Sequence, residues 1–226
     1  MKYKIYYTQN GSGSITDKVN KFVYYEECNK LVRKYEKYIK QKDILDIGSN
    51  IGLFSKAIVN NYEYNSIHLF EPSKEYFDYS KSLLKVNKNI YFNNFGLGDV
   101  VEEKKLFKSS DNNIGWNTFL TKDPNQETNF TQKMNFEISE IKKLDDYNVD
   151  NIDFIKIDVE GYECKVLNGG MNFIAKHKPY ILIEVGWGKN HPEWPYCENQ
   201  YNKLFKLGYK KVNFKNYTQD ILFEPI

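Results

Sequence analysis

From Asp43 onward the chain alternates short apolar runs with helical patterns, and that rhythm limits the fold more than any other feature. Asp43–Ile47, Ser66–Phe70 and residues 89–95 read as strands, separated by helices over residues 51–60 and 73–87. A helix between two strands carries the chain back to the starting edge, so the strands pair in parallel. The rhythm resumes with a buried strand at 152–157, a helix from Tyr162, a strand at 180–185 and a helix at 196–207. Residues 209–214 and 220–224 are expected to pair as a terminal hairpin. The expected class is therefore α/β with a Rossmann-like, seven-stranded, mostly parallel sheet, helices on both faces and a C-terminal antiparallel hairpin.

A chain of 226 residues fits one such domain with a well-buried core and is short for two. Residues 1–40 are expected to form an arm and a helix, and 41–226 the core. The arm reads as a hairpin turning at Asn10-Gly11, followed by a helical pattern from Asp17 to about Lys40. Beyond an edge-like segment at 104–108 lies a polar stretch, 109–133, too long for a plain connection. It is either disordered or a functional loop.

Composition narrows the partners. The formal net charge is +2 and the lysines are dispersed, so no basic track for nucleic acid is expected. Arg33 is the single arginine, which leaves lysines, backbone amides and hydroxyls to hold any anionic ligand. No run is long and apolar enough for a membrane span, and the first residues lack a signal-peptide core. Cys28, Cys164 and Cys197 are far apart and lack metal-ligand spacing, which suggests unpaired thiols in a reducing, cytoplasmic setting. No metal ligands are assigned; whether a divalent ion bridging Asp158 and Glu184 assists is left open, as is the oligomeric state.

Ligands bind open α/β sheets at the carboxyl ends of the strands, and three loops there carry candidate binding residues. Asp46-Ile47-Gly48-Ser49-Asn50-Ile51-Gly52 joins the first strand to its helix, where Phe54 follows. Gly48 and Gly52 allow a tight turn and a close approach of the backbone to a ligand. The loop is neither G-x-G-x-x-G nor a phosphate-binding loop, and its leading carboxylate suits a cationic ligand better than a pyrophosphate. Phe70-Glu71-Pro72 ends the second strand, where Glu71 can accept hydrogen bonds from both hydroxyls of a ribose. Gly96 and Leu97, after the third strand, either cover an adenine or form a simple turn.

A second group carries the candidate chemistry. The run Lys156-Ile157-Asp158-Val159-Glu160-Gly161 ends a buried strand in two acids spaced by two, which extended chain places on one side. Lys156 shares that side and can pair with an acid. Glu184 ends the next strand, so Asp158 and Glu184 converge if the strands are neighbours. The competing reading makes Asp158 a helix N-cap, with Glu163 in the first turn. His191 lies in the loop after Glu184, as substrate contact or base, whereas His177 reads as structural.

In this order, Asp46 to Gly52, Phe70-Glu71-Pro72, Leu144-Asp145-Asp146, Lys156 to Gly161 and Ile183-Glu184 resemble the FkbM family of methyltransferases. The resemblance covers about residues 25–186, with Ser49 where the family commonly has alanine. It implies an S-adenosylmethionine cofactor and O-methylation, often of sugars or other hydroxylated natural products. On that reading the cofactor is held by Asp46, Gly48, Ser49, Asn50, Gly52, Phe54, Glu71, Pro72, Gly96, Leu97 and Asp158, and the proton is taken by Asp158, Glu184 or His191. The acceptor is expected to be a small molecule or glycan. Trp116, Phe119 and Phe130, with Trp187 and Trp194, are expected to stack on it, and Lys122 or Lys189 to grip any diphosphate. Rival readings are a non-sugar natural-product or peptide acceptor, a nicotinamide-dependent oxidoreductase and a non-catalytic cofactor-binding module.

Overall fold

The computed structural model describes residues 5–7, 13–15, 23–108, 117–120, 135–185, 191, 193–212 and 220–226. Strands β1 (Ile5–Tyr7) and β2 (Gly13–Ile15) form the expected antiparallel pair, although its turn at Asn10-Gly11 lies outside the described residues. Helices α1 (Val23–Lys34) and α2 (Glu36–Ile39) follow. The expected alternation then appears as β3 (Asp43–Ile47), α3 (Leu53–Asn61), β4 (Ser66–Phe70), α4 (Lys74–Leu84) and β5 (Ile90–Asn93). Next come β6 (Gly96–Leu97), β7 (Glu102–Phe107) and β8 (Phe136–Lys142). The second half runs β9 (Phe154–Ile157), α5 (Glu163–Gly169), α6 (Met171–His177), β10 (Tyr180–Glu184), α7 (Trp194–Lys206), β11 (Tyr209–Val212) and β12 (Asp220–Pro225).

Seven strands form the main sheet in the order β11-β12-β10-β9-β3-β4-β5. The five from β10 to β5 are parallel, and β12 pairs antiparallel with both β10 and β11. Side chains alternate across the central strands, so each face needs its own cover. Ile44, Phe154 and Leu182 pack with Val32, Phe54 and Ile58 of the helices on one face. Leu45, Ile155 and Ile183 pack with Val166, Phe173 and Leu204 on the other.

A smaller sheet, β6-β8-β7, takes in the edge-like segment expected at 104–108 as β7, whereas β8 was not legible in sequence because it has no single apolar face. Its Phe136 and Ile138 are exposed, whereas Ser139 and Ile141 on the opposite face are buried. This sheet anchors the described part of the long polar stretch, since Phe107 and Thr118 exchange backbone hydrogen bonds.

One expectation is corrected outright. Cys164 of α5 and Cys197 of α7 are joined as a disulfide, with Cα atoms 5.0 Å apart across a separation of 33 residues. Helix packing on the second face brings the two together, which linear spacing does not reveal. The cysteine argument for a reducing compartment falls with it. Cys28 remains a free thiol whose burial pushes its pKa up to about 12. Among the described residues no helix is long and apolar enough to cross a membrane.

Candidate active site

The chain leaves β3 toward β4 on one side and later inserts β9 on the other. Such a reversal of strand order opens a crevice at the carboxyl ends. Residues 48–52 after β3 and 158–162 after β9 face each other there.

Gly48 turns with φ +74°, and its amide and that of Ser49 both donate to the Phe70 carbonyl at 3.0 Å. A Cβ on Gly48 would sit 1.9 Å from the Asp158 carbonyl oxygen. Its missing side chain is therefore demanded by the protein itself, a different reason from the ligand clearance expected. Gly52, at φ +82°, packs on α4, where a Cβ would lie 3.0 Å from that of Ser80.

Glu71 is 5% exposed and fastened at both oxygens. The Asn50 amide donates to its Oε2 at 2.8 Å and the Ser73 amide to its Oε1 at 2.8 Å. Burial pushes its pKa up to about 7 against the pull of those two amides. A carboxylate oxygen accepts more than one bond, so each retains capacity for a ligand hydroxyl. The buried hydroxyls of Ser49 and Ser73, flanking this point, have no hydrogen-bond partner among the described residues. Satisfied carboxylates beside unsatisfied hydroxyls fit a polar ligand with several hydroxyl groups.

Asp46 lies behind the loop, fully buried. Ser55 Oγ donates to its Oδ2 at 2.6 Å, and its Oδ1, 3.7 Å from Lys156 Nζ, lacks a hydrogen-bond partner among the described residues. Burial raises its pKa, opposed by Lys156. Phe54 is also buried, with Lys156 Nζ 5.4 Å from its ring centroid. Both residues therefore act from the core side of the crevice.

Lys156 is the hub of the acidic group, with Nζ 2.9 Å from Asp158 Oδ2. Burial opposes its charge, yet Asp158 and Asp46 raise its pKa above the ordinary lysine value. An oxygen from each of Asp158, Glu160 and Glu184 lies within 4.8 Å of the others. Carboxylates so close must share protons or a cation. Burial would raise Asp158, but the Lys156 charge and hydrogen bonds from Glu184 and Lys156 hold it below the usual range. Glu184 is pushed up to about 11, first by the Asp158 charge and then by burial. Glu160 is also raised, by burial and then by Asp158 and Glu163. The directions are opposite, so between these two it is Asp158 that is favoured as carboxylate and Glu184 as acid.

The convergence arises differently from the expected alternation. The strand stops at Ile157, and Glu160 (φ +52°) and Gly161 (φ +95°) form a left-handed turn. Tyr162 occupies the N-cap position of α5, so Asp158 does not cap it. Glu163 has a role the sequence only half suggested. Its Oε1 accepts from the amides of Val159 and Gly161, each at 3.1 Å, and burial pushes its pKa up to about 7.

Two acceptor-side expectations change. His191 Nε2 donates to the Gly161 carbonyl at 2.7 Å while its Nδ1 accepts from the Glu193 amide at 3.0 Å, so both ring nitrogens are engaged. Phe119 is buried rather than open for stacking. Its ring lies 5.4 Å from that of Tyr162 and over Gly96, where a Cβ would be 2.8 Å from Phe119 Cε2. Gly96 is therefore walled by Phe119 and lies close to Pro72, whereas Leu97 is buried in the core of the second face. Trp116, Lys122, Phe130, Trp187 and Lys189 lie outside the described residues, as does the side chain of Trp194.

Comparison with known proteins bears on the family and the fold. The Methyltransferase FkbM domain matches residues 46–211. A solved methyltransferase FkbM from Methylobacillus flagellatus has a similar fold, with TM-score 0.55 and 17% identity over 81% of this chain. This chain spans 43% of that protein's length. A Streptococcus mutans protein described as a methyltransferase and crystallised with S-adenosylhomocysteine superposes with TM-score 0.51 at 9% identity, covering 92% of this chain and 100% of that one. No curated protein matches the sequence.

Proposed function

We propose that this chain, which belongs to the FkbM family of methyltransferases, methylates a hydroxyl oxygen of a sugar, sugar nucleotide or glycan, with Asp158 taking the proton. S-adenosylmethionine is its methyl donor. When bound, the donor presents its methyl group on a cationic sulfur, which leaves alignment and deprotonation of the acceptor to the protein.

Glu71, Ser49 and Asn50 would hold the cofactor from the loop side, with Gly48 and Gly52 shaping the turn and Pro72, Gly96 and Leu97 forming a wall. Asp46 and Phe54 act indirectly, by fixing Lys156. Lys156 keeps Asp158 ionised, and protonated Glu184 directs a hydrogen bond at it. Asp158 would take the proton of the acceptor hydroxyl, and the bound donor would supply the methyl group to its oxygen. His191 is left out of this step because both of its nitrogens are already bonded.

The convergence of Asp158, Glu160 and Glu184 within 4.8 Å carries the reading, since a module that only bound cofactor would need no such group. We take the acceptor to be a small molecule or glycan rather than nucleic acid, because the net charge is +2 with dispersed lysines. The test is incubation with labelled S-adenosylmethionine and sugar nucleotides, free glycans, phenols and peptides, read by mass spectrometry. A methylated sugar is expected. Label on a peptide or phenol alone would reassign the acceptor, and cofactor binding without any transfer would favour a non-catalytic module.

A further inference from the structure

The turn that aims Glu160 into the acidic group is held from three directions. Glu163 takes its amides from below, as described. Its two carbonyls are taken by side chains from distant parts of the chain: Thr118 Oγ1 donates to the Glu160 carbonyl at 2.8 Å, and His191 Nε2 to that of Gly161 at 2.7 Å. A left-handed conformation at a residue with a side chain persists only where its surroundings over-determine it, and Glu160 is such a residue. Both donors are themselves fixed. Thr118 is buried, its backbone is paired with Phe107 of β7, and its hydroxyl also accepts from the Leu120 amide at 3.1 Å. His191 is anchored through Nδ1 to the Glu193 amide at the mouth of α7.

We infer that Thr118 and His191 are positioning residues: by hydrogen-bonding the Glu160 and Gly161 carbonyls they set the carboxylate of Glu160 against Asp158 and Glu184. Neither touches the reacting atoms. Thr118, before β8, and His191, after β10, are thereby tied to the acidic turn. This inference rests on the reading that the acidic group receives the acceptor proton, and its test separates the two.

The full chain is compared as wild type, Thr118→Val, Thr118→Ser, His191→Phe and His191→Gln. Thr118→Val and His191→Phe remove the donor, whereas the other two keep one. Hydrogen exchange is followed in the peptide spanning residues 158–163, and S-adenosylhomocysteine affinity by calorimetry. Turnover is read as methyl transfer from labelled S-adenosylmethionine to a pool of uridine-diphosphate sugars and free hexoses. For the donor-less variants we expect exchange in that peptide to quicken by about ten-fold or more. Turnover should fall by about ten- to a hundred-fold, with S-adenosylhomocysteine affinity within about two-fold of wild type. Thr118→Ser and His191→Gln should restore both. Unchanged exchange in either folded donor-less variant, or failure of both conservative variants to restore it, overturns the inference. If one donor-less variant does not fold, the other decides. If the pool takes no label while exchange behaves as expected, the proposed acceptor is wrong and the positioning role stands.

Discussion

The carbonyl oxygen of Asp158 fills the place where Gly48 would carry a side chain: a Cβ there would be 1.9 Å away. The cofactor loop after β3 and the acidic turn after β9 are thus in backbone contact across the point where strand order reverses. Placement of the donor and of the proton acceptor is mechanically one problem in this fold.

Gly48→Ala tests that contact. The substitution combines a clash with backbone and φ +74° at a residue bearing a Cβ. We expect a loss of about 2–4 kcal/mol in stability, seen as a melting temperature lower by about 5–15 °C, and weakened S-adenosylhomocysteine binding. Normal melting and binding would mean that the two loops are not packed as described.

Glu71→Gln keeps the shape but turns an acceptor for the Asn50 and Ser73 amides partly into a donor. Cofactor affinity should drop by about 1.5–3 kcal/mol, the range for charged hydrogen bonds. Calorimetry with S-adenosylhomocysteine reads it directly, and an unchanged constant would place Glu71 outside the pocket.

The pH dependence has a definite sign. Burial raises Glu71 and Glu163 from about 4.5 to about 7 in the folded chain. Between those values the folded protein retains protons that the unfolded chain releases, so their contribution to stability is greatest below about 4.5, falls as pH rises and levels off above about 7. The ionised form of Glu71 is the one suited to ribose hydroxyls, so cofactor affinity should increase over the same interval while stability declines. Relative to wild type, Glu163→Gln should flatten the melting temperature between about pH 5 and pH 7. Parallel profiles for the two proteins would refute the assignment.

Asp158→Asn and Glu184→Gln should behave unequally. Glu184 is held protonated beside Asp158, so a neutral amide that still donates reproduces much of its role, whereas Asp158→Asn removes the proton acceptor. Turnover on the acceptor found in the screen should fall about 10²–10⁴-fold for Asp158→Asn and by less than about ten-fold for Glu184→Gln. The reverse order would make Glu184 the base.

The Cys164–Cys197 link closes a segment of 33 residues between α5 and α7. Its reduction, or replacement of both cysteines by serine, should cost about 2–4 kcal/mol, a fall of several degrees in melting temperature. Cys28→Ser serves as the control outside the link. Identical melting with and without reductant would show that the two thiols are not joined.

The backbone of the fold was legible because its signals are local. Asp43–Ile47 and Ser66–Phe70 are mainly apolar runs with the limits expected, interrupted inside only by Asp46 and His68, since strands buried on both faces need apolar residues at most positions. Glu71 announced itself in the same way, as an acid at a strand end behind a glycine loop. β8 did not, because its apolar residues are divided between an exposed and a buried face.

What the sequence determined by itself is the strand–helix order, the glycine turn after β3 and the acids at the ends of β9 and β10, all consequences of neighbouring residues. What only tertiary structure decided is which distant groups meet. Insertion of β9 beside β3 put Lys156 between Asp46 and Asp158, and packing of α5 on α7 joined Cys164 to Cys197. Thr118 and His191 reached the two carbonyls of one turn from distant parts of the chain. A hydrogen bond or ion pair acts over a few ångströms whatever the separation along the chain, so these pairings leave no periodicity in the sequence and exist only once the sheet has assembled.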